Sequence, residues 1–248
     1  RLSPRLQRIA DYVPKGAVAV DVGTDHGHVP VYLVEEGICP CVIASDVNRG
    51  PLLRAADFIG RQGLDDRISL RQGSGLFPFE PEETDTVIMA GMGGDLISRL
   101  LCERPKFFAA RKEFVLQPQS EWFKVRKTLH EHGCRISREW MVLEDGIYYV
   151  IIKGVPGEES YDSEADYQYG RFLTDLKDPV LMDYLTMREA HYKKILLRLK
   201  EGSNRETDSG KNAALLERIK ELEEDLSRIT GITGHREDQS RTISRVLS

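Results

Sequence analysis

No apolar run in this chain approaches the ~20 residues needed to cross a bilayer, which sets aside a membrane-embedded role. Cysteine is scarce. Cys39, Cys41, Cys102 and Cys134 are scattered and none forms a Cys-x-x-Cys pair, so no metal site is expected and the four read as reduced structural thiols. Positive charge is in deficit as well. A net charge of -5 over 248 residues excludes a protein that coats nucleic acid through an overall positive field, leaving only local basic patches open. The chain has no internal repeat, and from Arg1 onward it shows no charged-then-apolar leader, so neither a signal nor a transit peptide is read and the cytoplasm is the expected compartment. The oligomeric state is not legible.

What is present is a globular composition, 40% hydrophobic and 30% charged. Ser3-Pro4 pairs an N-cap with a proline fit for the first helical position, and Leu2, Leu6, Ile9 and Val13 follow at helical spacing. Apolar runs of strand length then alternate with helix-length segments, the pattern of a parallel sheet with crossover helices. Strands are predicted at 17–23, 41–47, 67–72, 85–90 and 113–117, with helices at about 29–37, 49–62, 95–103 and 120–132. The rhythm breaks at 134–144 and 147–154, two strand-like runs joined by Asp145-Gly146, a hairpin signal. A doubly wound sheet that finishes in a hairpin needs an antiparallel strand, as in class I methyltransferases and unlike nicotinamide dehydrogenases. Residues 155–163 read as a polar linker. Beyond it, Asp178-Pro179 opens one helix, and Leu215, Ile219, Leu222, Leu226 and Ile229 form a heptad seam on another, giving a coiled-coil-like helical hairpin. The expected division is a Rossmann-like catalytic domain over 1–157, a helical hairpin over 158–230 and a polar tail over 231–248.

In an open parallel sheet ligands bind at the carboxyl ends of the strands beside the switch point. After the first strand comes Asp21-Val22-Gly23-Thr24-Asp25-His26-Gly27, in which glycines permit close backbone approach and the next helix offers free N–H groups. Gly23 and Gly27 lie four apart, a poor fit to the Gly-x-Gly-x-x-Gly dinucleotide fingerprint, and a plain structural turn stays open. Asp46 ends the second strand about twenty residues on, where a carboxylate can take both hydroxyls of an adenosine ribose, or else cap the following helix. Ser74 and Gly75 follow the third strand, where a hydroxyl and a backbone N–H can meet an adenine edge. The fourth runs into Ala90-Gly91-Met92-Gly93-Gly94, glycines that imply backbone held against a ligand or a tight turn, with Met92 either projected there or packed in the core.

These segments resemble the bacterial tRNA adenine N1-methyltransferase family that modifies adenine 22 in the D-arm. The likeness rests on SPRLQRIADYV, DVGTDHGHVP, SDVN, AGMGG, LQPQ and EDGIYYVIIKG, and spans roughly residues 2–230. Gly27 and His28 stand where that family continues with Ala and an aromatic, and Gln119 stands where it usually has Asn. The resemblance implies S-adenosyl-L-methionine as cofactor, tRNA as substrate, and cofactor loops at Asp21, Gly23, Thr24, Asp25, Gly27, Asp46, Gly91, Met92 and Gly93.

Adenine N1 already carries an in-plane lone pair, so methyl transfer needs alignment more than a strong base. The positive charge ends on the base, which makes Asp25 the candidate to stabilise it and His26 the candidate to orient base or loop; cofactor binding by Asp25 and a plain loop role for His26 stay open. N1 lies on the Watson–Crick edge, so the base must leave its stack and the arm must be gripped. Lys193, Lys194, Arg198 and Lys200 on the helical hairpin, with Arg1, Arg5 and Arg8 on the first helix, are the candidate RNA contacts; an ordinary solvated face for the three arginines and packing or dimerisation by the hairpin are the alternatives. A small-molecule methyltransferase, a nicotinamide oxidoreductase and a non-catalytic RNA-binding adaptor are the competing readings.

Overall fold

The computed structural model describes residues 2–202 and 209–230, with only the backbone for 196, 199–202 and 209–212. Arg1, the side chain of Lys200 and the tail 231–248 therefore lie outside the described residues. The chain divides into two compact units, 1–173 and 174–248.

In the first unit, helix α1 (Pro4–Asp11) starts where expected: Ser3 Oγ accepts the Leu6 N–H at 3.4 Å and Pro4 takes the first turn, while Ile9 and Ala10 are buried. The sheet contains β1 (Ala19–Val22), β2 (Val42–Asp46), β3 (Ile68–Gln72), β4 (Thr86–Met92), β5 (Glu113–Pro118), β6 (Cys134–Glu144) and β7 (Ile147–Pro156). Its order is β3-β2-β1-β4-β5-β7-β6. The first five strands run parallel, whereas β7 is antiparallel to both β5 and β6. The hairpin turn is two residues long, between Glu144 and Ile147, and Asp145 (φ 52°) and Gly146 (φ 77°) both have the positive φ that a type I′ turn demands.

Helices α2 (His28–Glu35), α3 (Arg49–Gln62), α4 (Gly94–Cys102) and α6 (Trp122–Glu131) are the crossovers. A short α5 (Lys106–Ala109), absent from the sequence reading, packs Phe107 and Phe108 inward. Strand β1 is buried along its whole length, as expected for the middle of a sheet covered on both faces. The chain runs outward through β2 and β3, then returns to the other side of β1 as β4, which places the topological switch at the carboxyl ends of β1 and β4.

The segment read as a linker is fastened down. Glu159 accepts the Ile136 N–H at 2.8 Å and meets His130 Nε2 at 3.1 Å. Next come α7 (Glu164–Tyr169) and α8 (Arg171–Asp175). The last carbonyls of α7 are satisfied by the fully buried guanidinium of Arg126, which reaches Tyr167 O at 2.8 Å, Gln168 O at 3.2 Å and Tyr169 O at 3.3 Å, with Nε on Glu139 Oε1 at 2.7 Å. Compactness therefore continues to Leu173, beyond the composition change at the end of β7.

In the second unit α9 (Pro179–Gly202) and α10 (Ser209–Thr230) pack side by side. Asp178 Oδ1 caps α9 by accepting from Val180 and Leu181. The seam of α10 is inward as its spacing predicts, with Ile219, Leu222 and Ile229 buried. Among the described residues no helix is long and apolar enough to cross a membrane.

Candidate functional site

The loop after β1 turns at Gly23 (φ +74°), Asp25 (φ +50°) and Gly27 (φ +73°). A positive φ costs an ordinary residue about 1–2 kcal/mol, and Asp is one of the few that visit it routinely, which accounts for a side chain in the middle of this turn. The loop is pinned to β2 by backbone alone: Gly23 N–H and Thr24 N–H both donate to Ser45 O, at 2.8 and 2.9 Å. Asp21 is 5% exposed. Burial pushes its carboxyl up to about 6, the Thr24 hydroxyl opposes the rise and Asp46 adds to it.

Asp25 and His26 sit at the mouth of this loop. Arg54 of α3 donates to Asp25 Oδ1 at 2.9 Å, and His26 Nε2 lies 3.5 Å from Oδ2. His26 stacks on His28 at 5.6 Å, and Phe58 meets His28 edge-on at 5.0 Å. Burial lowers the His28 pKa, and His26 lowers it further.

Asp46 closes β2. Its Oδ1 accepts the Asn48 N–H at 2.8 Å; the other oxygen accepts nothing among the described residues. Its carbonyl accepts Gly73 N–H at 3.1 Å, so the ends of β2 and β3 are tied together. Ser74 is exposed and Gly75 buried; a Cβ on Gly75 would stand 2.7 Å from Leu100 Cδ2, so this loop rests on α4.

The carboxyl end of β4 and the glycines that follow it complete the site. A Cβ on Gly23 would come within 2.4 Å of Met92 Cε, so the loop after β1 and the end of β4 touch through that methionine. Gly91 (φ +77°) is exposed, with nothing within 4 Å of a Cβ built on it. Gly94 shows the opposite constraint: a Cβ there would lie 2.4 Å from Ser120 O, where its own N–H donates at 2.9 Å.

The sequence-predicted cofactor residues are thus brought to one place, the carboxyl ends of β1, β2, β3 and β4. The candidate RNA contacts divide. Arg5 points inward, donating to Gln117 Oε1 at 2.7 Å and lying over the Tyr149 ring at 4.8 Å. Arg8 covers the Trp140 ring at 4.5 Å and pairs with Asp11. Lys193 bonds Glu189 and Glu223, whereas Lys194 and Arg198 are exposed and have no acidic partner among the described residues. Arg54 and Gln117 were not singled out from sequence. A basic residue one turn into the helix after Asp46 was a readable signal for the first; the second lies within LQPQ, and its contact depends on the strand irregularity at Gly91.

The donor set suits an adenosyl sulfonium amino acid. It offers an acceptor-only carboxylate for a ribose diol at Asp46, a buried acid beside backbone for an ammonium at Asp21, and open backbone at Gly91 where a Cβ would otherwise project. Residues 2–152 match the methyltransferase domain family. The tRNA (adenine(22)-N(1))-methyltransferase of Bacillus subtilis strain 168 is 31% identical over 229 residues, covering 90% of this chain and 96% of that protein. Among solved structures, the B. subtilis m1A22 tRNA methyltransferase TrmK superposes with a TM-score of 0.79 at 30% identity, over 91% of this chain and 99% of that one. Streptococcus pneumoniae Sp1610 in complex with S-adenosyl-L-methionine superposes with a TM-score of 0.81 at 30% identity, over 91% of this chain and 100% of that one.

Proposed function

Because the chain belongs to the tRNA (adenine(22)-N(1))-methyltransferase family, we propose that it transfers a methyl group from S-adenosyl-L-methionine to N1 of adenine 22 in the D-arm of tRNA. The observation that carries this reading is the convergence of four strand-end loops on Asp46 and the glycines after β1 and β4. When bound, the cofactor supplies an electrophilic methyl on a sulfonium. Asp46 holds the ribose hydroxyls; Asp21, with the backbone of Gly23, Thr24, Asp25 and Gly27, holds the amino-acid end; Ser74 and Gly75 meet the adenine edge; Gly91, Met92 and Gly93 line the side on which transfer occurs.

Adenine N1 brings its own lone pair, so this chain's residues need to remove no proton. Their task is alignment, an effect that supplies ~7–11 kcal/mol in well-oriented reactions. Asp25 faces the positive charge that arrives on the base, and His26 orients the loop or the base. Lys194 and Arg198 take the phosphates of the arm.

Incubation of tRNA with labelled S-adenosyl-L-methionine, followed by nucleoside analysis, tests the reaction. Label is expected in N1-methyladenosine and lost from a transcript carrying guanine at position 22; label in any other nucleoside would refute the acceptor. A Lys194→Glu, Arg198→Glu variant should lose tRNA affinity and retain cofactor affinity, and unchanged tRNA binding would remove α9 from the interface.

A further inference from the structure

Strand β4 does not finish in simple register. Ala90 lies opposite Gln117 and Met92 opposite Pro118, so Gly91 is an extra residue without a partner across the ladder. A bulged residue loses its ladder acceptor, and its N–H must find another. Gly91 finds it in a side chain, donating to Gln117 Oε1 at 3.1 Å. That oxygen also accepts from Arg5 Nη1 at 2.7 Å. Gln117 is wholly buried, and two donors converging on one oxygen fix its amide; turned over, its NH2 group would face two further donors.

At Gly91 itself nothing lies within 4 Å of an added Cβ, so hydrogen bonds rather than packing set the path there, whereas Met92 packs on Gly23 and Gly94 on the backbone of Ser120 and Glu121. Downstream, Met92 O accepts the Gln119 N–H at 2.8 Å and Gly94 N–H donates to Ser120 O at 2.9 Å. Those two tethers are backbone; only the Gly91 tether uses a side chain. Arg5 in turn is held from α1, its own N–H on Glu144 at 2.9 Å and its guanidinium over Tyr149.

The geometry points to Gln117 as a positioning residue for methyl transfer: its Oε1 replaces the ladder acceptor that Gly91 lacks, and Arg5 locks the amide, so helix α1 sets the backbone of residues 91–93. This rests on the function proposed above, since only there does the loop after β4 line the path between donor and base. It turns Arg5 from an RNA contact into a part of the site's frame, in keeping with a side chain only 21% exposed.

Three full-length variants test it, Gln117→Leu, Gln117→Glu and Arg5→Met, each assayed for kcat and KM with tRNA, for S-adenosyl-L-methionine affinity by calorimetry and for amide hydrogen exchange at Gly91. Gln117→Leu should speed Gly91 exchange and lower kcat roughly 10- to 100-fold, with cofactor Kd moving far less. Gln117→Glu keeps an acceptor for both donors and should restore most of the lost protection and rate; Arg5→Met frees the amide and should fall between. Wild-type kcat or Gly91 protection in a folded Gln117→Leu protein overturns the assignment, as does a folded Gln117→Glu protein as impaired as Gln117→Leu. Should Gln117→Leu not fold, wild-type kcat and exchange in Arg5→Met overturn it instead. If the unmodified protein methylates no tRNA, the functional reading fails on its own, while exchange at Gly91 still decides the role of Gln117.

Discussion

Asp46→Asn isolates one hydrogen-bond acceptor at the heart of the site. In the folded protein Asp46 Oδ1 accepts the Asn48 N–H at 2.8 Å and the second oxygen accepts nothing among the described residues. Asparagine keeps the first contact through its carbonyl and places an NH2 group where the second oxygen was, and that group cannot accept from a ribose hydroxyl. The change therefore removes a charge and one acceptor while leaving volume and helix cap intact. A hydrogen bond to a charged group contributes about 1.5–3 kcal/mol, which at about 1.4 kcal/mol per tenfold corresponds to a roughly 10- to 150-fold weaker Kd for S-adenosyl-L-methionine. Titration calorimetry reads the affinity, and a thermal melt without ligand should show almost the same Tm, because Asp46 is a partly exposed strand end. A variant that binds the cofactor as tightly as the parent would show that the carboxylate only caps α3, and the ribose anchor would have to be sought elsewhere.

Asp21 gives a pH signature: with its carboxyl raised from 3.8 to about 6 by burial, the folded state holds the proton more tightly than the unfolded chain. The resulting stability, on the order of 3 kcal/mol, is fully present below about pH 4 and is lost as pH rises through about 6. Denaturant midpoints measured against pH should decline over that window and flatten in Asp21→Asn; an identical slope in both proteins would contradict the burial argument. Gly94→Ala pushes a Cβ to 2.4 Å from Ser120 O and 2.5 Å from Glu121 O, backbone atoms that cannot rotate away, so a loss of about 1–3 kcal/mol and weaker cofactor binding are expected in melts and titrations. Arg126→Met strands the buried Glu139 carboxylate and uncaps α7, which should cost about 3–5 kcal/mol in chemical denaturation, much of it recovered by adding Glu139→Leu. An Arg126→Met protein as stable as wild type would mean that Glu139 is protonated in the folded state and that the α7 carbonyls find other donors.

Much of the fold was legible because its signals are local. Strand-length apolar runs, Asp145-Gly146 and the Ser3-Pro4 cap each encode their element within a few residues, and each predicted strand and crossover helix lies within two residues of its predicted bounds. The turns at the strand ends were legible for the same reason, since glycines there announce backbone constraint before any contact is known. What escaped depends on pairs far apart in sequence. Nothing around Arg126 marks it as the cap of α7, forty-one residues from its partner Tyr167, and Arg5 reads as a solvated cation until Gln117, 112 residues on, is placed beside it. Short helices such as α7 and α8 carry too few turns for a periodic pattern to stand out.

The charges at the site fit a reaction that is limited by placement. Asp25, the carboxylate nearest the mouth, is already shared by Arg54 and His26, and an exposed pair of this kind leaves only a modest field for a cation arriving on the base. Asp21, fully buried, is tuned toward its neutral form until a positive group compensates it, which suits an ammonium and not a proton acceptor for the substrate. Against these weak or reserved charges stands a dense set of backbone bonds: Gly23 and Thr24 on Ser45, Gly73 on Asp46, Gln119 on Met92, Gly94 on Ser120. A lone-pair nucleophile and a sulfonium donor react once collinear, so a fold that spends its hydrogen bonds on fixing strand-end loops has invested in the variable that limits the rate.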